Sequence, residues 1–211
     1  MIKFDNFHYI YPPRPKNPIS PTELDFWDNG MMIGQPKLNG SNAVIFTDGN
    51  SVYIYNRHNQ RMSNVQLEKE EILNIYSGRG WMVINGEYMN KSKNDERGQV
   101  FNHKLVIFDI LVHDGQYLLG TTFKERIGLL DSLYGTRKSD KEYLTEISEN
   151  IYRVKSYDTG FKTLYEDLTK IDMVEGLVLK RKSGKLELGT TENNNTKSQI
   201  KVRKSTKNYK Y

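Results

Sequence analysis

The 211-residue chain contains no cysteine, which excludes a disulfide framework and thiolate metal sites. Histidine is scarce, and His8, His58, His103 and His113 are scattered without the spacing of zinc ligands. No apolar run approaches the roughly 20 residues needed to cross a bilayer. The N-terminal stretch MIKFDNFHYIYPPRP lacks the apolar segment of a signal peptide. These absences predict a soluble protein without a membrane partner, located in the cytoplasm, or in the host cytoplasm if the source is a virus. There is no GxxxxGK[ST] loop and no HRD or DFG triplet, so neither a P-loop nor a protein-kinase site is encoded. Proline is confined: five of the six lie between Pro12 and Pro21, which predicts an extended loop there. No internal repeat is present.

What the chain does have is aromatic content and unevenly placed charge. Mean hydropathy is low, at −0.71, yet 14 tyrosines and 8 phenylalanines recur at strand-like positions, so the composition is that of a folded domain. The net charge is +5, with 31 basic and 26 acidic residues. Lys197, Lys201, Arg203, Lys204, Lys207 and Lys210 fall in the last fifteen residues, which hold no acid. The whole positive balance therefore resides in that segment. It predicts contact with a polyanion through one surface, with Lys204, Lys207 and Lys210 as candidate nucleic-acid contacts and Tyr209 and Tyr211 as stacking surfaces.

Pattern predicts an α+β domain with mainly antiparallel sheets. Ala43 to Thr47 and Ser51 to Asn56 form a hairpin about Asp48-Gly49. Pairing numbers that sum to 97 sets Arg57 opposite Gly40 and a few residues from Lys37. Ser63-Asn64-Val65-Gln66 reads as a capping box opening a helix that bears Ile72, Ile75 and Tyr76. Residues 81–88 and 105–112 read as strands, the second central because it is apolar almost throughout. Thr122 with Glu125 caps a helix carrying Phe123, Ile127 and Leu130 inward. Further helices are expected near 140–149 and 160–171. A hairpin around Ser183-Gly184, a polar loop over 192–199 and a short strand in IKVRK complete the chain.

Charged residues interrupt or flank these apolar strands: Lys37, Glu87, Asp109, Glu175, Lys180 and Lys201. A lone buried charge is costly, and six with both signs are explained most simply by one polar cleft. Such a cleft suits a nucleoside triphosphate, with cations for phosphates and carboxylates for Mg²⁺.

In order along the chain stand Lys37-Leu38-Asn39-Gly40, Glu87 in NGEY, Phe108-Asp109 in IFDIL, Glu175 in VEGLVLK, and Lys201 in IKVRK. This series resembles the covalent nucleotidyltransferases, namely ATP-dependent DNA and RNA ligases and mRNA capping enzymes, over residues 35 to 204. DNA ligases of that superfamily usually carry arginine five residues after the lysine; Asn42 stands here, and the next arginine is Arg57. That arrangement looks like the RNA ligase branch that seals nicks in duplex RNA.

The resemblance implies a nucleotidyltransferase domain whose sheets flank a nucleotide cleft, ATP-grasp-like, and a reaction in three steps. Lys37 attacks the α-phosphate of ATP, AMP passes to a 5′-phosphate end, and a 3′-hydroxyl displaces AMP. It implies ATP as cofactor, Mg²⁺ or Mn²⁺ at Glu175 and Glu87, and phosphate contacts from Arg57, Lys180, Lys201 and Arg203, with Asn42 close by in the nucleotide site. Gly40 belongs to the lysine motif, Asn39 or Glu87 touches ribose, Phe108 stacks on adenine, and Asp109 completes that motif as its less ambiguous member. Glu175 and Lys180 are five apart, so both serve one site only if a bulge or strand end intervenes. The expected substrate is nicked duplex RNA or an RNA/DNA hybrid. The expected organisation is a monomeric single domain, 1–211, with no appended OB-fold, and with a protein partner in place of a C-terminal domain. DNA ligase, capping guanylyltransferase and a non-catalytic end-binding protein are the alternatives.

Overall fold

The computed structural model describes residues 4–135, 141–191 and 193–205. Strands are β1 (Arg14–Pro18), β2 (Met32–Leu38), β3 (Ser41–Thr47), β4 (Val52–Asn56), β5 (Met82–Met89), β6 (Lys104–His113), β7 (Gln116–Tyr117), β8 (Leu144–Glu146), β9 (Ile151–Val154), β10 (Val174–Arg181) and β11 (Asn195–Arg203). Helices are α1 (Leu24–Trp27), α2 (Lys69–Asn74), α3 (Phe123–Tyr134) and α4 (Phe161–Leu168). The strands form two sheets, one in the order β1-β11-β10-β2 and one in the order β4-β3-β5-β6-β9-β8 with β7 beside β6. Pairing is antiparallel except at β1–β11 and β6–β9. No helix among the described residues is long and apolar enough to cross a membrane.

Alternation decides which face of each strand is buried. On the smaller sheet Leu177, Leu179, Ile200 and Val202 turn toward α4, where Phe161, Leu164 and Leu168 complete one apolar cluster. On the larger sheet Ile45, Ile84, Ile107 and Ile110 pack under α2 and α3. Its other face, with Val44, Phe46 and Val83, is closed by Trp81, Ile10 and the N-terminal aromatics. β6 is central, as its apolar run predicts. The capping box at α3 forms as read, Thr122 and Glu125 each satisfying the other's backbone N–H.

Several elements differ from the sequence reading. The β3–β4 hairpin pairs Ala43 with Asn56 and Thr47 with Val52, two residues off the predicted register. The Asp48 carboxylate accepts from Asn50 and Ser51 N–H at 3.0 and 2.8 Å, and this stabilises a longer loop. The Ser63 box does not form; α2 begins six residues later, and Gln66 N–H instead donates to Tyr88 Oη at 2.8 Å. Residues 141–149 are not helical, because Leu144–Glu146 pairs with β9 at the sheet margin. No hairpin forms at Ser183-Gly184: β2 and β11 already occupy both sides of β10. The returning chain leaves to pair Leu186 with Thr121 and Gly120. The expected polar loop over 192–199 is largely strand, since β11 has β10 on one side and the proline-rich β1 on the other. Proline is tolerated in β1 because it is an edge strand.

Candidate active site

The two sheets face one another across a cleft of about 470 Å³, within the range that holds small ligands. Cross-strand register builds the wall from the smaller sheet in rows. Lys37 (β2), Gly176 (β10) and Arg203 (β11) are neighbours, as are Gln35, Val178 and Lys201 in the next row. Lys180 and Gln199 follow. The larger sheet contributes Asn42, Asn85, Glu87 and Phe108, with Arg57 just beyond β4. Continuing the β3–β4 register sets Arg57 level with Asn42, and Asn42 itself pairs with Glu87 across β5.

Two bulges aim side chains that regular strands would send elsewhere. On β10 the register shifts between Val174 and Gly176, leaving Glu175 as the extra residue. Val174 then stays with Leu177 and Leu179 in the core, while Glu175 joins Val178 and Lys180 in the cleft. This resolves the five-residue spacing of Glu175 and Lys180. On β6 Asp109 pairs with Asn85 and Ile107 with Gly86, so Phe108 is the extra residue and enters the cleft.

Within the cleft the Lys37 ammonium donates to the Glu175 carboxylate, and Arg203 Nε lies 3.6 Å from the same carboxylate oxygen. Glu87 Oε1 accepts from Gly40 N–H at 3.1 Å. A Cβ at Gly40 would meet the Tyr88 carbonyl oxygen at 2.5 Å, so glycine permits this close crossing. Burial pushes the Glu87 carboxyl up to about 7, against the opposing pull of Lys37. Burial likewise brings Lys180 down to about 8; its ammonium lies 4.7 Å from the Phe108 ring centre and 4.6 Å from that of Phe123. Lys201 is lowered by burial, then by Arg203, Lys37, Arg14 and Arg57. Asn42 donates to Asn85 Oδ1 at 2.9 Å.

Other predicted residues fall outside the cleft lining. Asp109 turns to the far face, where Arg126 Nε and Nη2 reach its two carboxylate oxygens at 2.8 and 3.1 Å. Both are almost fully buried. The bulge that admits Phe108 sends Asp109 to α3, which reverses the expectation that Asp109 is the surer cleft member of that pair. Asn39 is also outside, its N–H given to the Met173 carbonyl. Lys204 donates to the Ile171 carbonyl at 3.1 Å, and Lys207 and Lys210 lie outside the described residues. Among the described basic residues of that segment, Lys201 and Arg203 line the cleft and Lys204 does not.

Sequence reasoning missed Gln35, Arg14, His58, Asn85 and Gln199, all cleft-lining. Gln35 is 2 % exposed; its amide donates to Ser156 Oγ at 3.1 Å, and its Oε1 has no hydrogen-bond partner among the described residues. Only the alternation Gln35, Lys37 along β2 could have signalled it. For a metal, no group of three or more His, Asp or Glu side chains converges among the described residues. Glu87 and Glu175, the carboxylates that line the cleft among the described residues, suit Mg²⁺, which keeps waters and takes one or two carboxylates when it arrives with phosphates.

A family model described as RNA ligase matches residues 32–203, and the chain belongs to that family. Its fold is the nucleotidyltransferase domain of polynucleotide ligases, as solved structures show. A mycobacterial DNA ligase D complexed with ATP and MES aligns with TM-score 0.66 at 16 % identity, over 96 % of this chain and 62 % of that one. A Lig E DNA ligase, described as binding DNA with a minimal scaffold, aligns with TM-score 0.53 at 19 % identity, over 83 % and 62 %. The Chlorella virus DNA ligase-adenylate aligns with TM-score 0.52 at 13 % identity, over 92 % and 68 %. The chain therefore spans less than two thirds of the mycobacterial ligase chain. No curated protein matches it.

Proposed function

We propose that this domain uses ATP to seal RNA, joining 5′-phosphate and 3′-hydroxyl ends through a lysyl-AMP intermediate on Lys37. The observation that carries the reading is Lys37 itself: a lysine held by Glu175 at the meeting of both sheets, in a cleft where Arg57, Lys201 and Arg203 supply charge for phosphates. In the first step the Lys37 amine forms a P–N bond to the α-phosphorus. The P–O bond to the β-phosphate breaks, and the electron pair leaves with the diphosphate. Glu175, already hydrogen-bonded to Nζ, takes the proton the ammonium must lose to become a nucleophilic amine, and the second proton shed by the attacking nitrogen leaves with the diphosphate. Adenine stacks on Phe108 and gives its amino N–H to Gln35 Oε1, which would face a carbonyl oxygen if guanine were bound. Glu87 binds ribose or, with Glu175, Mg²⁺, which when bound neutralises phosphate charge in the displacement.

The RNA preference rests on the family match and on Asn42, where the DNA-sealing pattern has arginine. The substrate proposed is nicked duplex RNA or an RNA/DNA hybrid. Incubation with α-labelled ATP and Mg²⁺ should leave label on the protein, and Lys37→Ala should abolish it; equal labelling of the variant would refute the mechanism. Sealing rates on matched nicked RNA, hybrid and DNA then rank the substrates, and faster sealing of DNA would overturn the RNA assignment.

A further inference from the structure

We infer that the N-terminal strap, through Arg14, binds the diphosphate that leaves when Lys37 is adenylylated. This rests on the function proposed above and extends it to a residue outside the motif series. Residues 12–15 line the cleft, although the sequence reads them as a plain extended loop. The strap is anchored by its backbone. Tyr11 N–H donates to the Gly189 carbonyl at 3.1 Å and Arg14 N–H to that of Asn194 at 2.9 Å. Asn194 Nδ2 donates to the Tyr11 carbonyl at 2.7 Å. Beyond Arg14, β1 pairs in parallel with β11. Pro12, Pro13 and Pro15 fix φ around Arg14, so the guanidinium is presented from a stiff segment and less freedom is lost on binding.

Direction follows from the chemistry. In-line displacement sets the leaving oxygen opposite the attacking nitrogen. Lys37 attacks from β2, one edge of the smaller sheet, so the diphosphate lies away from β2. In sheet order the next strands are β10, β11 and β1, with β1 about 14 Å from β2 at ordinary strand spacing. Lys201 and Arg203 line the cleft from β11 and Arg14 from β1. On β1 it is Pro18 that pairs with Lys201, while Arg14 pairs with Asn195 farther along β11; the strap reaches the cleft cations through the Pro15 carbonyl, which accepts from Lys201 Nζ at 3.4 Å. Arg14 is also one of the cations close enough to hold the Lys201 ammonium below its ordinary value, after burial itself and Arg203 and Lys37. Cations gathered at such a cost suit a ligand of high negative charge density, and a guanidinium fits two phosphate oxygens at once.

The test separates the adenylylation step from the sealing step. Arg14→Ala should lower kcat/KM for ATP in single-turnover adenylylation about 10- to 100-fold, the worth of a charged hydrogen bond. Discharge of the lysyl-AMP form by added inorganic diphosphate should fall by the same factor, because it is the reverse step. Sealing of a nicked RNA already carrying 5′-AMP involves no diphosphate and should be unchanged, which also shows that the variant is folded. Arg14→Lys should restore part of the loss. If the wild type forms no adduct, the proposed function fails. If it does and Arg14→Ala is equally fast, this inference fails. An equal loss in sealing of the 5′-adenylylated strand overturns it in favour of a strap that binds the nucleic acid or supports the fold.

Discussion

Glu87 shows how one side chain can report on the cleft. Its carboxyl is raised from 4.5 to about 7, chiefly by burial, so between those values the folded state holds a proton that the unfolded state has released. The contribution of Glu87 to stability is then fully present below about pH 4.5 and is lost as pH rises through 7, by roughly 3 kcal/mol over the window. Glu87→Gln removes the titration. Melting temperatures across pH 4.5–8 should therefore show the variant gaining on the wild type as pH rises, with the difference level above about pH 7.5. A difference that does not change with pH would refute the assignment. Asp109 marks the limit of reading single residues. Its place in an apolar strand announces a buried charge needing a partner, but the partner, Arg126, sits on a helix 17 residues away. The same local pattern fits a cleft ligand and a buried ion pair.

At the scale of elements, the bulge in β10 depends on one glycine. Gly176 has φ +150, and a Cβ there would collide with the Val202 carbonyl on β11. Gly176→Ala should cost at least about 2 kcal/mol through strain and overpacking, seen as a lower urea midpoint, and should weaken adduct formation by moving Glu175. Gly128, on α3, is the control: a Cβ there would meet no heavy atom within 4 Å. Gly128→Ala should stabilise by about 0.5–1 kcal/mol from helix propensity alone. Equal midpoints for the two variants would sink the bulge argument. Elements with strong local signals were legible in the sequence: the Thr122 capping box, the central β6 and the strand turning at Asp48. The failures around 144–146 and 183–186 were settled by which sheet edge was open, while the Ser63 box, also a strong local signal, gave way to the bond from Gln66 N–H to Tyr88 Oη.

For the whole molecule, the site belongs to neither sheet alone. Lys37, Glu175 and Lys201 stand on one, and Glu87, Asn42 and Phe108 on the other, so nucleotide binding ties both walls together. A ligand at 100 times its Kd adds about 2.7 kcal/mol, which for a chain of this size raises Tm by roughly 5–10 °C. Lys37→Ala, which cannot form the adduct, should still show that rise with ATP and Mg²⁺ and a much smaller one with GTP. An unchanged Tm would mean that the cleft does not hold the nucleotide.

The sequence by itself determined the strand-rich α+β class, the order of the charged interruptions and the lysine motif, because alternation, capping and turn chemistry act over a few residues. It also singled out most of the charged residues and several others that line the cleft: Lys37, Gly40, Asn42, Arg57, Glu87, Phe108, Glu175, Lys180, Lys201 and Arg203. Only the tertiary structure decided that Glu175 and Phe108 are bulged into the cleft, that Asp109 turns away from it, and that Gln35 and Arg14 join it. Which way a strand residue points depends on register with partners far along the chain, as between Lys37 and Gly176, and a bulge inverts the parity that the local pattern implies.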